Sequence, residues 1–388
     1  MRESIEIRNF GPINSIKIDD IKPFTVFVGE SGCGKSTIMK ILAMMRWIYK
    51  MVGIRSYLKD YSGVKKSPFR FTFPSYLKQD GLNEYVKPDT YIYYKRGVCE
   101  ILFDNTLPKK KFKVIQERIP REELNLEKIS FISEKRGFIP DILNHNLSIN
   151  KKAFYLNEVW NDYILATESI SDLDMPFINV AYRKKKTKQG ERHLLQSIDD
   201  ENVYSVDISE VSSGMQSVTP LSLIIDYYSQ HYDLVKSMNR SVLSFLSEQD
   251  SLKDFRGGMN VGDIPNRRVS VFIEEPELSL YPDNQVGLMD YIVGRCFNRR
   301  SDEYEISLML STHSPYIVSY LNVLLARTDG VGKPYLSAPT LSVYRVYDGG
   351  IQDLMMYGSV TPVVDTRDLS ETMRRIYEEY KRHKKAAQ

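Results

Sequence analysis

Residues 24–28 (FTVFV) run without a break into Gly29-Glu30-Ser31-Gly32-Cys33-Gly34-Lys35-Ser36, and an apolar helical periodicity starts at once over 35–51. The octet fits GxxxxGK[ST] and sits where its mechanism needs it, after a strand and before a helix. Glycines let backbone N–H groups turn inward around phosphate oxygens, and the helix start adds the positive end of its dipole. Lys35 is expected to bridge the β- and γ-phosphates of a nucleotide, and the Ser36 hydroxyl to ligate Mg²⁺. Thr37 falls at the α-phosphate. Cys33, inside the loop, reads as a small tolerated side chain.

A second apolar run, 269–273 (VSVFI), ends on Glu274-Glu275-Pro276-Glu277. Two acids closing a buried strand stand at the carboxyl end of the sheet, where α/β folds place their ligands. Glu274 is expected to hold the Mg²⁺ water shell, and Glu275 to orient or deprotonate the attacking water. A third run, 306–311 (ISLMLS), delivers Thr312-His313-Ser314-Pro315. A neutral imidazole there can hydrogen-bond a γ-phosphate or the catalytic water. Val211-Ser212-Ser213-Gly214-Met215-Gln216 precedes a helical pattern, with Ser213 as its N-cap and the open N–H groups behind it as an anion site.

Between these motifs, 3–8 and 14–18 read as an antiparallel pair around Gly11-Pro12, and 52–89 as a mixed loop region. Strand-like runs follow at 90–94, 98–103, 111–115 and 129–132. The stretch 138–170 is mainly helical. Strands return at 177–182, 193–198 and 203–208, with Arg183–Lys188 as a basic turn after the first. Helices are expected at 213–229, 231–248, 283–298 and 315–326, a surface loop at 250–267, a strand at 341–347 and a basic helix from about 369. The fold class is therefore α/β: a P-loop core built on a parallel sheet, an antiparallel β subdomain and a helical lid.

Composition narrows the setting. The 388 residues carry a net charge of +3, too mild a balance to establish nucleic-acid binding. Three cysteines without a CxxC pair exclude a disulfide framework or zinc site and fit a reducing cytoplasm. The opening residues lack a signal-peptide core, and no apolar run approaches the roughly 20 residues of a membrane span. Lys109–Lys111 and Arg183–Lys188 can meet phosphates or simply be solvated hairpin tips.

Taken in order, the phosphate loop at 29–37, the 212–216 loop, the acid strand at 271–275 and His313 resemble an ABC-type ATPase head: Walker A, signature, Walker B and switch histidine. The signature resembles LSGGQ, with Ser212 at its first position and Met215 for the second glycine. Ile5-Glu6-Ile7-Arg8-Asn9-Phe10-Gly11-Pro12, Glu275-Pro276-Glu277-Leu278-Ser279-Leu280-Tyr281-Pro282 and Thr312-His313-Ser314-Pro315-Tyr316-Ile317 are similar to the SMC, RecF and OLD branch. The last of these, with Leu321-Asn322 after it, is similar to the switch region of OLD-like ATPases and of the ATPase subunits of antiphage systems such as PARIS and Septu.

The resemblance implies one ATPase head over 1–388. Its nucleotide core is 1–52 with 268–350, and its β subdomain 90–210 with a lid at about 138–175. Signature helices fall at 211–250 and a basic helix at 365–388. It implies ATP and Mg²⁺ as cofactors, Ser36 and Glu274 as metal residues, and Glu275 and His313 as catalytic ones. Gly29, Gly32, Cys33, Gly34, Lys35, Ser36 and Thr37 bind ATP. Ser213, Gly214 and Gln216 close in trans on the nucleotide of a second copy, so the head is a homo-oligomer.

Where that family has a Q-loop glutamine, this chain has Ser133-Glu134-Lys135-Arg136. Glu134 or Arg136 stands for the metal or coupling role, with a surface salt bridge as the other reading of Arg136. The interval Gly137–Val211 is too short for an SMC coiled coil. Asp365 and Asp368 read as a polar helix start, not a nuclease metal pair. The function expected is a cytoplasmic sensor or scaffold in antiphage defence, holding a separate nuclease or toxin until DNA or a phage protein triggers it. The alternative is a RecF-like repair ATPase acting on DNA.

Overall fold

A computed structural model describes residues 1–61, 73–79, 81–116, 118–144, 147, 149–150, 153–188, 190–199, 204–240, 264–298, 303–328, 335–358 and 362–386. Its centre is a six-stranded sheet of β15 (Gly350–Asp353), β14 (Leu341–Tyr347), β3 (Phe24–Val28), β13 (Glu305–Thr312), β12 (Asn266–Glu274) and β7 (Asn125–Ile132), in that spatial order. From β14 to β7 every pairing is parallel; β15 alone runs antiparallel. The parallel strands are covered on both faces, so β3 and residues 269–274 of β12 are buried at every position.

A second sheet is antiparallel: β2 (Ile13–Ile18), β1 (Glu3–Phe10), β4 (Val86–Arg96), β5 (Cys99–Asp104) and β6 (Phe112–Val114). Its strands alternate, as Glu3–Phe10 shows with Ile5, Ile7 and Phe10 turned inward. A third carries β11 (Ser205–Asp207), β10 (Gly190–Ser197), β9 (Val180–Thr187) and β8 (Asp172–Met175). A small pair joins β16 (Met355–Met356) and β17 (Val363–Val364).

The helices are α1 (Lys35–Tyr61), α2 (Phe73–Gln79), α3 (Ile139–Leu143), α4 (Phe154–Ser169), α5 (Ser213–Asp226), α6 (234–240), α7 (Pro282–Val293), α8 (Pro315–Ala326) and α9 (Glu371–Ala386). Among the described residues, no helix is long and apolar enough to cross a membrane.

Three expectations need correction. The helix expected to end near residue 51 runs to Tyr61, because Val52, Ile54, Tyr57 and Leu58 are buried and keep the segment inside the core. The run at 129–132 lies in the parallel sheet beside β12, not with the antiparallel strands around it. The basic turn at Arg183–Lys188 is largely strand: β9 extends to Thr187 and pairs with β10 through Thr187↔Gly190. The Lys184 ammonium donates to the Thr167 carbonyl and faces Glu191, while Arg183 pairs with Asp172 and Asp174. Much of the loop expected at 250–267 lies outside the described residues.

Candidate functional site

The site follows from strand order. β3, β13 and β12 are neighbours, and their carboxyl ends lie side by side through Thr312↔Val28 and Glu274↔Ser311. Each strand ends on one of the residues singled out by sequence. β3 gives the loop from Gly29, β13 gives His313, and β12 gives Glu274 and Glu275. The sequence order of the motifs thus becomes a spatial order in which His313 lies between the phosphate loop and the acid pair.

Gly29 leaves β3, Gly32 and Cys33 lie in the loop that follows, and Ser36 and Thr37 sit in the first turn of α1, which begins at Lys35. Gly34 has φ +110°, a left-handed conformation that suits a residue without Cβ. The Lys35 ammonium is held inside the loop, donating to the carbonyls of Gly29 at 2.9 Å and Glu30 at 2.8 Å. Cys33 Sγ is 3.8 Å away. Burial pulls the Lys35 pKa below the usual lysine range, opposed by the charges of Cys33, Glu275 and Glu277.

His313 bridges the two halves. Its Nδ1 lies 3.5 Å from Lys35 Nζ, and its Nε2 lies 3.4 Å from Glu275 Oε1. An ammonium can only donate, so Nδ1 accepts and the ring proton sits on Nε2, pointing at the carboxylate. Glu277 fixes the backbone behind this ring, accepting from the His313 N–H at 2.6 Å and the Thr312 hydroxyl at 2.8 Å. Ser314 caps α8 by accepting from the Ile317 N–H and donates to Gln285 at 2.5 Å. Sequence reading gave Glu277 no role of its own; its signal was position, two residues past Glu275 on the same turn.

Glu274 is 2% exposed, and its carboxyl faces the side chains of Glu134 and Ser36. Lys40 Nζ stands 4.0 Å from Oε1. Burial raises its pKa to about 7, reinforced by the neighbouring Glu134 carboxyl. A buried acid beside the Ser36 hydroxyl fits a divalent cation's donor set. Ser36 and Glu274 are the residues that would hold it.

The 212–216 loop is placed differently from the phosphate loop. Ser212, not Ser213, is the N-cap position of α5, and both serines are exposed. Gly214 is buried against the segment after the acid pair: a Cβ there would stand 2.5 Å from the Ser279 carbonyl. Gln216 serves the loop itself, donating to the Ser209 carbonyl at 2.7 Å. Arg136 is no surface residue. It is completely buried and donates to the main chain of the acid pair. Asp365 and Asp368 pair with Arg367 and Arg345, as a polar helix start would.

A family model described as an AAA ATPase domain matches residues 1–47 and 54–318. No curated protein matches the chain in sequence. Among solved structures, the chain is similar to an SMC head bound to the C-winged helix domain of ScpA. The TM-score is 0.39 at 11% identity, over 92% of this chain and 97% of that one. The SMC head domain from Thermotoga maritima gives 0.36 at 11% identity, over 92% and 100%. An SMC head with an extended coiled coil, bound to the C-terminal domain of ScpA derived from Pyrococcus furiosus, gives 0.37 at 11% identity, over 97% and 98%. The family match covers most of the chain and contains the phosphate loop, the acid pair and the 212–216 loop: the chain belongs to the AAA ATPase domain family.

Proposed function

We propose that the chain binds ATP with Mg²⁺, hydrolyses it, and uses the cycle as a switch between separate and paired heads. The observation that carries this is the line Lys35–His313–Glu275, drawn together from three neighbouring strand ends. Phosphate oxygens would replace the Gly29 and Glu30 carbonyls at Lys35 and draw on the loop N–H groups. Mg²⁺, when bound, neutralises phosphate charge, with Ser36 and Glu274 as its protein residues. Glu275 orients and deprotonates the attacking water. His313, as the neutral Nε2–H tautomer, holds the Glu275 carboxylate in place and senses the γ-phosphate through the Lys35 side.

Pairing of heads is supported by the exposed Ser212 and Ser213 at the start of a buried helix, a donor-rich end open to another molecule. In this reading residues 1–52 and 268–350 hold the nucleotide and the helices from 211 close on a second copy. Glu275→Gln tests it: with ATP the particle doubles in mass by light scattering, and without ATP it does not. A variant that binds ATP and stays monomeric at every concentration removes the paired-head switch.

The cellular role proposed is that of a sensor or scaffold restraining a separate nuclease or toxin in antiphage defence. It rests on the motif wording of 275–282 and 312–317 alone. Co-expression with neighbouring genes tests it, and copurification of a nuclease or toxin is the expected result. ATPase activity stimulated by DNA and suppressed by salt would instead favour the repair reading. Within the run Arg183–Lys188, internal pairing of Arg183 and Lys184 leaves Lys185, Lys186 and Lys188 as the exposed cations.

A further inference from the structure

Arg136 lies in the 3-10 turn Glu134–Phe138, which follows β7 directly. Its side chain is 0% exposed. Nη1 donates to the Glu274 carbonyl at 2.6 Å and to the Ser133 carbonyl at 3.2 Å, and Nη2 donates to the Glu275 carbonyl. One guanidinium therefore grips the two consecutive carbonyls of the acid pair. On the other side of the same residue, the Glu275 N–H donates to the Ser311 carbonyl of β13 at 2.9 Å.

Between these grips Glu275 has φ +45°, in the left-handed region. A glutamate holds that conformation only where its surroundings impose it. The direction of its Cα–Cβ bond, and so the approach of its carboxylate to His313, depends on that φ. Burial lowers the Arg136 pKa to about 10, against the charges of Glu277, Glu134, Glu275 and Glu274, so the group stays cationic at neutral pH. Two roles can be separated. Charge compensation needs only a cation. Holding the Glu274 and Glu275 carbonyls through two separate nitrogens in one fixed plane needs the planar fork of arginine, which the single nitrogen of a shorter lysine does not reproduce.

We infer that Arg136 is a positioning residue, whose forked guanidinium holds Glu275 in the left-handed conformation that aims its carboxylate at His313 and the attacking water. This rests on the ATPase reading of Glu275. The turn also packs on α5, the helix that begins at the exposed Ser213. A movement of that helix on pairing would reach the acid through the same guanidinium.

The test uses the full chain carrying Arg136→Lys or Arg136→Gln, alone and combined with Glu275→Gln. Both single variants should keep the ATP Kd within about threefold, while kcat falls about 10- to 100-fold. In single-turnover measurements the Arg136→Lys/Glu275→Gln chain should be no slower than Glu275→Gln alone, because Arg136 acts through that carboxylate. Wild-type kcat in Arg136→Lys would overturn the inference in favour of charge alone. Equal slowing in both backgrounds would overturn it in favour of general structure. Loss of folding and ATP binding in both variants would make the guanidinium a fold element and overturn it too. A wild-type chain without ATP turnover sinks the ATPase reading and this inference with it, an outcome the wild-type control tells apart.

Discussion

Arg46 and Glu3 meet in a two-point ion pair in the middle of the molecule, Nε to Oε1 at 2.8 Å and Nη2 to Oε2 at 2.9 Å. Arg46 is on α1 and Glu3 opens β1, and both are buried. Arg46 also reaches the hydroxyls of Ser270 on β12 and Ser307 on β13. Tyr94 on β4 donates to Glu3 at 2.8 Å, and Ser270 passes the network to Glu127 and Arg96. The antiparallel sheet is thereby tied to the parallel sheet through the helix that starts at the phosphate loop. Removing Arg46 leaves the buried Glu3 carboxylate with only the longer ion-pair contact to Arg268 at 3.7 Å and no two-point partner, at a cost of about 3–5 kcal/mol. Arg46→Met should lose that much in urea titrations, and adding Glu3→Gln should lose less than a second equal step, since the orphaned charge is gone. Additive losses would mean the pair is not coupled.

The same pair gives a pH dependence. Burial opposes ionisation of Glu3, but Arg46 and Arg96 outweigh it and hold its pKa down at about 2, against 4.5 for an unperturbed glutamate. A folded-state pKa below the unfolded one adds stability that is fully present above the unfolded value and is lost as pH falls toward the folded one. Urea midpoints should therefore fall between about pH 5 and pH 2. In Glu3→Gln that portion of the slope should flatten. An unchanged slope would assign acid sensitivity to other carboxylates.

The parallel strands and the residues at their ends were legible because burial on both faces leaves a run that is apolar apart from one or two small hydroxyl side chains. FTVFV, VSVFI and ISLMLS each carry that mark. The buried arginines were not. Arg46, Arg96 and Arg136 look like surface residues in sequence, and their partners lie far along the chain, as Glu274 does for Arg136. Nor does 129–132 announce which sheet it joins, since a short apolar run fits either. Lys184 misled for the same reason: its acceptors, Thr167 and Glu191, come from an adjacent helix and strand.

Glu275→Gln should keep ATP binding and lower kcat by about 10²- to 10⁴-fold, the usual worth of a positioned acid or base. Lys35→Ala should instead abolish ATP binding, because it removes the cation between the loop and His313. Filter binding and phosphate release separate the two effects. Normal turnover in Glu275→Gln would take that residue out of the reaction.

Gly214→Ala isolates the second half of the proposed switch. Its added methyl would stand 2.5 Å from the Ser279 carbonyl and 3.3 Å from a Leu280 methyl, so backbone must shift. Ser279 already holds φ +59°, so the segment after the acid pair has little freedom to give way. The displacement falls on the start of α5, where Ser213 is exposed, and not on the loop that carries Lys35. ATP affinity of the separate head should therefore change by less than about threefold. ATP-driven mass doubling in a Glu275→Gln background, and kcat in the wild-type background, should fall at least about tenfold. Light scattering and ATP titration on the same preparation read both. Full pairing in Gly214→Ala would mean that the 212–216 loop does not close on the second copy.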